Sequence, residues 1–492
     1  MTPRRAWLFP LWLGACDPHV AEPCRTEADC SRDEHCLVDH ARGEGRCIAT
    51  PGRTDPAPAM RWRATPPQTD LVLVIDDGPD SAPLQRRLLA SIDAIIDHAS
   101  RFDDDLRIAA TTANIERSPC GPAPAASRGV LTGLSCLDRL DDFIGADGTD
   151  ARSLCTGHCA WTSEQLGLSP RRPWLDLRAL PEGIEPDEAL GCLLPQGISG
   201  CPLAAPLESM RLAIARSNAE EELSFGFFRK PGTGEFVVVT DDVDCSLSSI
   251  SAPAFDPEGL RALWSDPDAE EPTAAVCFNA GVDCSGLADG FRECRAVDRA
   301  LDGTLTADND ASVLSFLHHY VELFDFSNYT VHAIVGVPEG TPWTPPYSAV
   351  GDPEHLLEYG IDPGCTDDEI VARPPVRLRD VASEMASACA PNYDDTFIRA
   401  LSREPLCIPS ALAPRVQVSL ERPDAAPWPV PDCEGTWPGI ELPDGGLACM
   451  RWNDDPLRCS SVSETMLELV LLARDREAPT FLIDPSPLSA EG

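Results

Sequence analysis

One stretch constrains the fold of this chain more than any other: Asp70-Leu71-Val72-Leu73-Val74-Ile75-Asp76-Asp77-Gly78-Pro79-Asp80-Ser81. An unbroken apolar run, mostly β-branched, reads as a strand buried on both faces, the setting of an inner strand in a parallel sheet. The run ends abruptly in carboxylates, a glycine and a proline, so the chain turns at the strand's carboxyl end. Ligands of open α/β sheets sit in the crevice outside the carboxyl ends of the strands. Asp76, Asp77 and Asp80 are therefore the first candidates for chemistry.

The following segments repeat the pattern. Residues 83–100 place Leu84, Leu88, Ile92, Ile95 and Ile96 at helical spacing, with Gln85, Arg86, Arg87 and Asp93 on the other faces. Residues 106–112 read as a second strand, and 202–217 as a helix with Leu207, Met210 and Ile214 on one side. Phe236-Val237-Val238-Val239-Thr240 is another buried strand, and it too ends in carboxylates: Asp241, Asp242 and Asp244. Asp310 reads as the cap of a helix through Val313, Phe316, Leu317, Tyr320, Val321 and Phe324. Residues 329–335 form a further strand, and 376–388 and 393–401 further helices. The alternation predicts a doubly wound α/β domain with a mostly parallel sheet over residues 68–404.

Cysteines and charge define the compartment. The chain of 492 residues has 21 cysteines and no Cys-x-x-Cys pair, which argues against zinc ribbons and thioredoxin-like sites and for disulfides in an oxidising compartment. They punctuate insertions near 115–200, 245–309 and 338–375. A formal net charge of −41 disfavours nucleic acid and anionic lipid. Residues 1–15 carry two arginines and a short apolar run, too short to span a bilayer and suited to a signal peptide. Leu13-Gly14-Ala15-Cys16 resembles the lipobox of bacterial lipoproteins, which implies cleavage before Cys16 and acylation of its thiol. Setting Cys16 aside leaves 20 cysteines, an even number. Residues 16–23 are then the anchor segment, 24–47 a four-cysteine module, 48–67 a proline-rich linker and 405–492 a small disulfide-tied module.

The segments 70–80 and 237–246 with their following helix resemble a von Willebrand factor A-type domain, more narrowly divergent bacterial lipoproteins whose fourth strand ends in an acidic run and Cys-Ser, here Asp241-Asp242-Val243-Asp244-Cys245-Ser246. The resemblance implies a metal-ion-dependent adhesion site, with Asp76 as its first aspartate and Asp241 as its last. Gly78 and Asp80 stand where the family has serines, and no threonine stands near Leu203. If a cation binds, Ca²⁺ or Mg²⁺, Asp76, Asp80 and Asp241 hold it; the alternative is no metal at all, with these aspartates capping strand ends and helix N-termini. Three carboxylates there favour Ca²⁺ over an adhesive Mg²⁺ site, while Asp77, Gly78, Asp242 and Asp244 form the binding surface. The expectation is an exported, membrane-anchored lipoprotein of the periplasm or cell surface that binds a protein or cell-surface ligand. The alternatives are a metal-assisted hydrolase built from the same loops and a structural envelope component. No nucleophile elbow, His-Glu-x-x-His, Walker loop or Gly-x-Gly-x-x-Gly is present, so the reading is of a binding protein and not an enzyme.

Overall fold

The computed structural model describes residues 68–101, 105–115, 119, 128–229, 233–287, 290–325, 329–340, 347–348, 352–401 and 430. It also describes the strands 23–24, 34–39, 44–49, 60–63, 406–409, 417–422, 425–429, 440–441, 447–453, 464–472 and 480–484. The signal segment 1–15 and Cys16 lie outside the described residues. Two compact units result: residues 66–403, and residues 1–65 together with 404–492.

The larger unit is built on a six-stranded sheet. Its strands are β1 (Gln68–Ile75), β2 (Asp105–Thr112), β3 (Leu175–Asp176), β4 (Thr233–Val239), β5 (Tyr329–Val335) and β6 (Glu384–Ser387), in the spatial order β6-β5-β4-β1-β2-β3. All neighbours are parallel except the short edge strand β3. In the centre, Val72 stands opposite Ala109 of β2 and Phe236 of β4.

Alternation along β1 divides its side chains between two cores. Leu71, Leu73 and Ile75 pack with α1 (Ala82–Ala90) and α2 (Ile92–Arg101), whereas Val72 and Val74 pack with α3 (Pro206–Asn218) and α4 (Leu317–Asp325). Helices thus cover both faces. The chain leaves β1 toward β2 on one side and returns through α3 to β4 on the other. That reversal opens a crevice at the carboxyl ends of β1 and β4.

Several elements differ from the sequence reading. The helix expected over 83–100 is two, broken at Ser91, whose hydroxyl bonds Arg87 O and accepts Tyr393 N–H at 2.8 Å. The helix expected from Asp310 starts at Leu317, because Asp308 caps a single 3₁₀ turn (Asn309–Ala311) and Ser312–Ser315 bond the loop 246–248 and the 299–305 hairpin instead. The helix expected over 376–388 stops at Arg379, and Glu384–Ser387, alternately half-buried and buried, forms the edge strand β6. Within the expected linker 48–67, Met60–Arg63 pairs antiparallel with Thr480–Asp484. Those four residues lie clear of the flanking prolines, so their N–H groups are free to join a ladder.

The smaller unit carries a three-stranded sheet over 23–49 and two four-stranded sheets that include the expected strands near 415–420 and 467–472, found as Gln417–Arg422 and Glu464–Leu472. The disulfides expected within 24–47 and 405–492 rest on residues outside those described.

Among the described residues of the larger unit five disulfides have both partners in view, Cys136–Cys155, Cys159–Cys192, Cys245–Cys277, Cys284–Cys294 and Cys365–Cys389, and Cys201 is disulfide-bonded as well. They tie the irregular segments between sheet elements, and their number fits a protein that folds in an oxidising compartment. Among the described residues no helix is long and apolar enough to cross a membrane.

A buried ion triad joins the outer strands. His332 on β5 lies 3.3 Å from Glu235 of β4 through Nε2 and 3.3 Å from Glu384 of β6 through Nδ1, and Arg399 lies 3.6 Å from Glu384. Burial alone would lower the imidazole's pKa, but the two carboxylates outweigh it and raise it to about 9. A folded pKa above the unfolded value makes the triad stabilising below about pH 6.5 and removes that contribution as pH rises through about 9. His332→Gln should therefore destabilise strongly at pH 6 and little at pH 10, read by urea denaturation at both. An equal loss at both would show that charge is not what His332 contributes.

Candidate functional site

The crevice between β1 and β4 collects the strand-end carboxylates. Asp76 continues β1, its N–H bonded to Val239 O at 2.9 Å. Its Oδ1 accepts Gly78 N–H at 2.9 Å and its Oδ2 accepts the Thr240 hydroxyl at 2.5 Å. Asp241 and Asp242 follow β4, and Asp242 N–H bonds the same Thr240 hydroxyl at 3.1 Å. One oxygen each of Asp76, Asp241 and Asp242 lies within 4.8 Å of the others. All three side chains are buried.

Gly78 leaves room for this arrangement. A Cβ at that position would lie 3.1 Å from Asp76 Oδ1 and 3.5 Å from Cys201 O, so the serine that the resemblance leads one to expect would crowd the carboxylate it sits beside. Gly200 serves Asp77 in the same way: a Cβ there would fall 2.3 Å from the Asp77 carboxyl carbon. Gln85, fully buried, locks the floor. It donates to Asp76 O at 2.8 Å and Gly197 O at 2.6 Å, and accepts Gln196 N–H at 2.9 Å.

A cation not anticipated from the sequence enters from the loop after Val371–Ala372. Arg373 Nη1 lies 3.1 Å from Asp242 Oδ1, 3.5 Å from Asp241 Oδ2 and 4.0 Å from Asp80 Oδ2. Its side chain is 2 % exposed, its N–H donates to Asp241 O at 2.8 Å, and the Tyr359 ring covers its guanidinium carbon at 3.5 Å. The hairpin carrying it is tied by Cys365–Cys389.

Electrostatically the cluster is under-compensated. Burial, and then the charges of Asp80 and Asp76, push Asp241 up to about 8. Burial pushes Asp76 up to about 6, against the hydrogen bonds from Thr240 and Gly78. Burial raises Asp242 well above the carboxylate range although Arg373 opposes it, and burial and Asp76 do the same to Asp77. Asp241 Oδ1 and Arg373 Nε are both buried without a hydrogen-bond partner.

The expected ligand set changes in one member. Asp76 and Asp241 converge, but Asp80 sits at the lip, 57 % exposed, and Asp242 takes the third place. The expected binding surface of Asp77, Gly78, Asp242 and Asp244 is corrected more fully, because all four are buried. Asp244 is a structural staple: it accepts Leu207 N–H at the start of α3 at 3.3 Å and the Ser246 hydroxyl at 2.6 Å, and faces Arg377 Nε at 3.3 Å. Arg373, Thr240 and Gln85 were missed because one lies in an aperiodic loop, one closes an apolar run, and one falls on a polar helix face. The Asp-rich strand ends were the usable signal.

No family model matches the chain, and no curated protein matches it. Among solved structures it is similar to the pilus adhesin SpaC from Lactobacillus rhamnosus GG in its open conformation, at 10 % identity and a TM-score of 0.31, over 89 % of this chain and 44 % of that one. A second crystal structure of SpaC gives 8 % identity and a TM-score of 0.27 over the same shares. The chain thus spans less than half of that protein's length. Likeness at this level carries no argument about function.

Proposed function

We propose that this chain is an exported binding protein whose docking face is organised by a divalent cation held between Asp76, Asp241 and Asp242. The observation that carries the reading is Asp241 Oδ1, buried without a hydrogen-bond partner inside a cluster of three carboxylate oxygens. A buried carboxylate oxygen in that state calls for a proton or a cation. With all three carboxylates ionised, the single guanidinium leaves an excess of two negative charges, which a divalent ion cancels. Calcium–oxygen distances of about 2.4 Å place oxygens on opposite sides of the ion about 4.8 Å apart, compatible with the spread of this cluster. The all-oxygen donors favour Ca²⁺ over Mg²⁺, which demands a stricter octahedron. Asp80 and the Tyr359 ring stand at the lip, where a protein partner would meet them.

The von Willebrand A resemblance agrees with a strand-end site, and the departure at Gly78 with a remodelled one. Attachment to the membrane through acylated Cys16 belongs to the same reading, as does a non-catalytic role. The test is calorimetric titration of the full chain with Ca²⁺ and Mg²⁺. Binding of Ca²⁺ at millimolar affinity or better is expected, weakened at least tenfold in Asp241→Asn. No heat with either ion, or an unchanged affinity in Asp241→Asn, would overturn the metal site.

A further inference from the structure

Directly after the strand-end loop of β4, the segment 248–271 builds a second feature that the proposed cation site does not use. Residues 253–254, 259–263 and Leu301 line a mostly apolar groove of about 130 Å³, Arg261 among them. Leu260 is 71 % exposed, and Leu305, on the 299–305 hairpin that supplies Leu301, is 59 % exposed. Large aliphatic side chains that open to solvent beside an apolar groove mark interaction surfaces.

The loop is held in place to present them. Arg261 has φ of 52°, in the left-handed region that a non-glycine residue rarely adopts. Its guanidinium bonds Pro257 O at 2.8 Å, Pro267 O at 2.7 Å and Ala269 O at 3.1 Å, and stacks over the Trp264 ring at 4.7 Å. Trp264 Nε1 in turn donates to Ala254 O at 2.8 Å. Strain of this kind persists only where its surroundings over-determine it, and it clusters at ligand clamps and other functional positions.

Charge selects the occupant. Between residues 252 and 271 stand Asp256, Glu258, Asp266, Asp268, Glu270 and Glu271 against Arg261 alone. Asp256 and Glu258 are exposed between the lining residues Ala254 and Gly259, and exposed Asp302 follows Leu301. Among the described residues no basic side chain forms an ion pair with any of these carboxylates. A second copy of the chain would bring the same negative charge, and anionic lipid would be repelled.

We infer that this groove docks a basic peptide segment whose apolar side chain enters beside Leu260 while flanking arginines or lysines meet Asp256, Glu258 and Asp302. The test measures binding of labelled short peptides to the full chain at physiological salt. One peptide carries a leucine between arginines, the second a glycine in its place, and the third the leucine between glutamates. The first should bind at least tenfold more tightly than either other. Leu260→Ser should weaken it at least fivefold without moving the thermal unfolding midpoint, since that side chain is mostly in solvent. Equal binding of the leucine and glycine peptides would reduce the effect to bulk charge attraction and overturn the proposal. So would an unchanged affinity in Leu260→Ser, or Leu260-dependent self-association in sedimentation.

Discussion

Arg377→Met should lower the stability of the chain by about 3–5 kcal/mol, the cost of leaving buried charges without their counter-ion. The Arg377 side chain is 2 % exposed and spans two carboxylates, Asp244 at 3.3 Å and Asp298 at 3.0 Å. It also donates to Val297 O at 2.8 Å and Ser315 O at 2.7 Å. One side chain thus joins the strand-end loop, the second cysteine-bearing insertion and the segment entering α4. Methionine fills similar space but leaves Asp244 in a place where burial already raises its pKa against Arg377's attraction. Urea denaturation of the full chain measures the loss. Adding Asp244→Asn to the variant should restore part of it, because the buried negative charge is then gone. A loss below about 1 kcal/mol would be at the level of a solvent-screened pair and would remove the staple from this account.

The second large effect is expected at Arg373. Arg373→Leu deprives Asp242, Asp241 and Asp80 of the cation that lies 3.1 to 4.0 Å from them, and should also cost about 3–5 kcal/mol without metal. Its signature is rescue. A Ca²⁺ ion can take over the neutralisation, and saturation at about 100 times its dissociation constant returns about 2.7 kcal/mol by linkage. Thermal melts of wild type and variant, each with EDTA and with Ca²⁺, give the comparison. The Ca²⁺-dependent rise should be larger in the variant than in wild type. A variant as stable as wild type in EDTA would mean that Arg373 does not compensate the cluster. A destabilised variant indifferent to Ca²⁺ would count against cation binding there.

Arg373 lies in a stretch that carries little pattern, and Arg377 in one whose helical spacing says nothing of the carboxylates it meets. The inner strands were legible because 71–75 and 236–239 are continuous apolar runs, and burial on both faces leaves few other homes for such runs. Helices were legible where one apolar face repeats, as in 206–218, and misplaced where apolar residues serve loops. Val313 and Leu314 are fully buried, yet they sit in extended chain that bonds to the 246–248 loop and the 299–305 hairpin. Helical spacing cannot tell the two apart. Gln85 illustrates the opposite error. It falls on a polar face of α1 by spacing, but the polar face there looks into a crevice floor whose backbone groups need a side-chain amide.

At the site, the amino-acid order alone determined that carboxylates would gather at the ends of β1 and β4, since both runs end in aspartates and parallel neighbours place their carboxyl ends side by side. The chain's cysteine content also pointed to disulfides, which five bridges among the described residues bear out. Tertiary structure decided the rest. Asp80 was moved to the lip and Asp242 brought inside, Asp244 was spent on the start of α3, and Arg373 was delivered from more than a hundred residues away. The physical reason is that charge compensation in a buried site is settled by distances of a few ångströms between loops. Those distances depend on how the insertions and the Cys365–Cys389 bridge seat each loop, and residue order along the chain does not encode them locally.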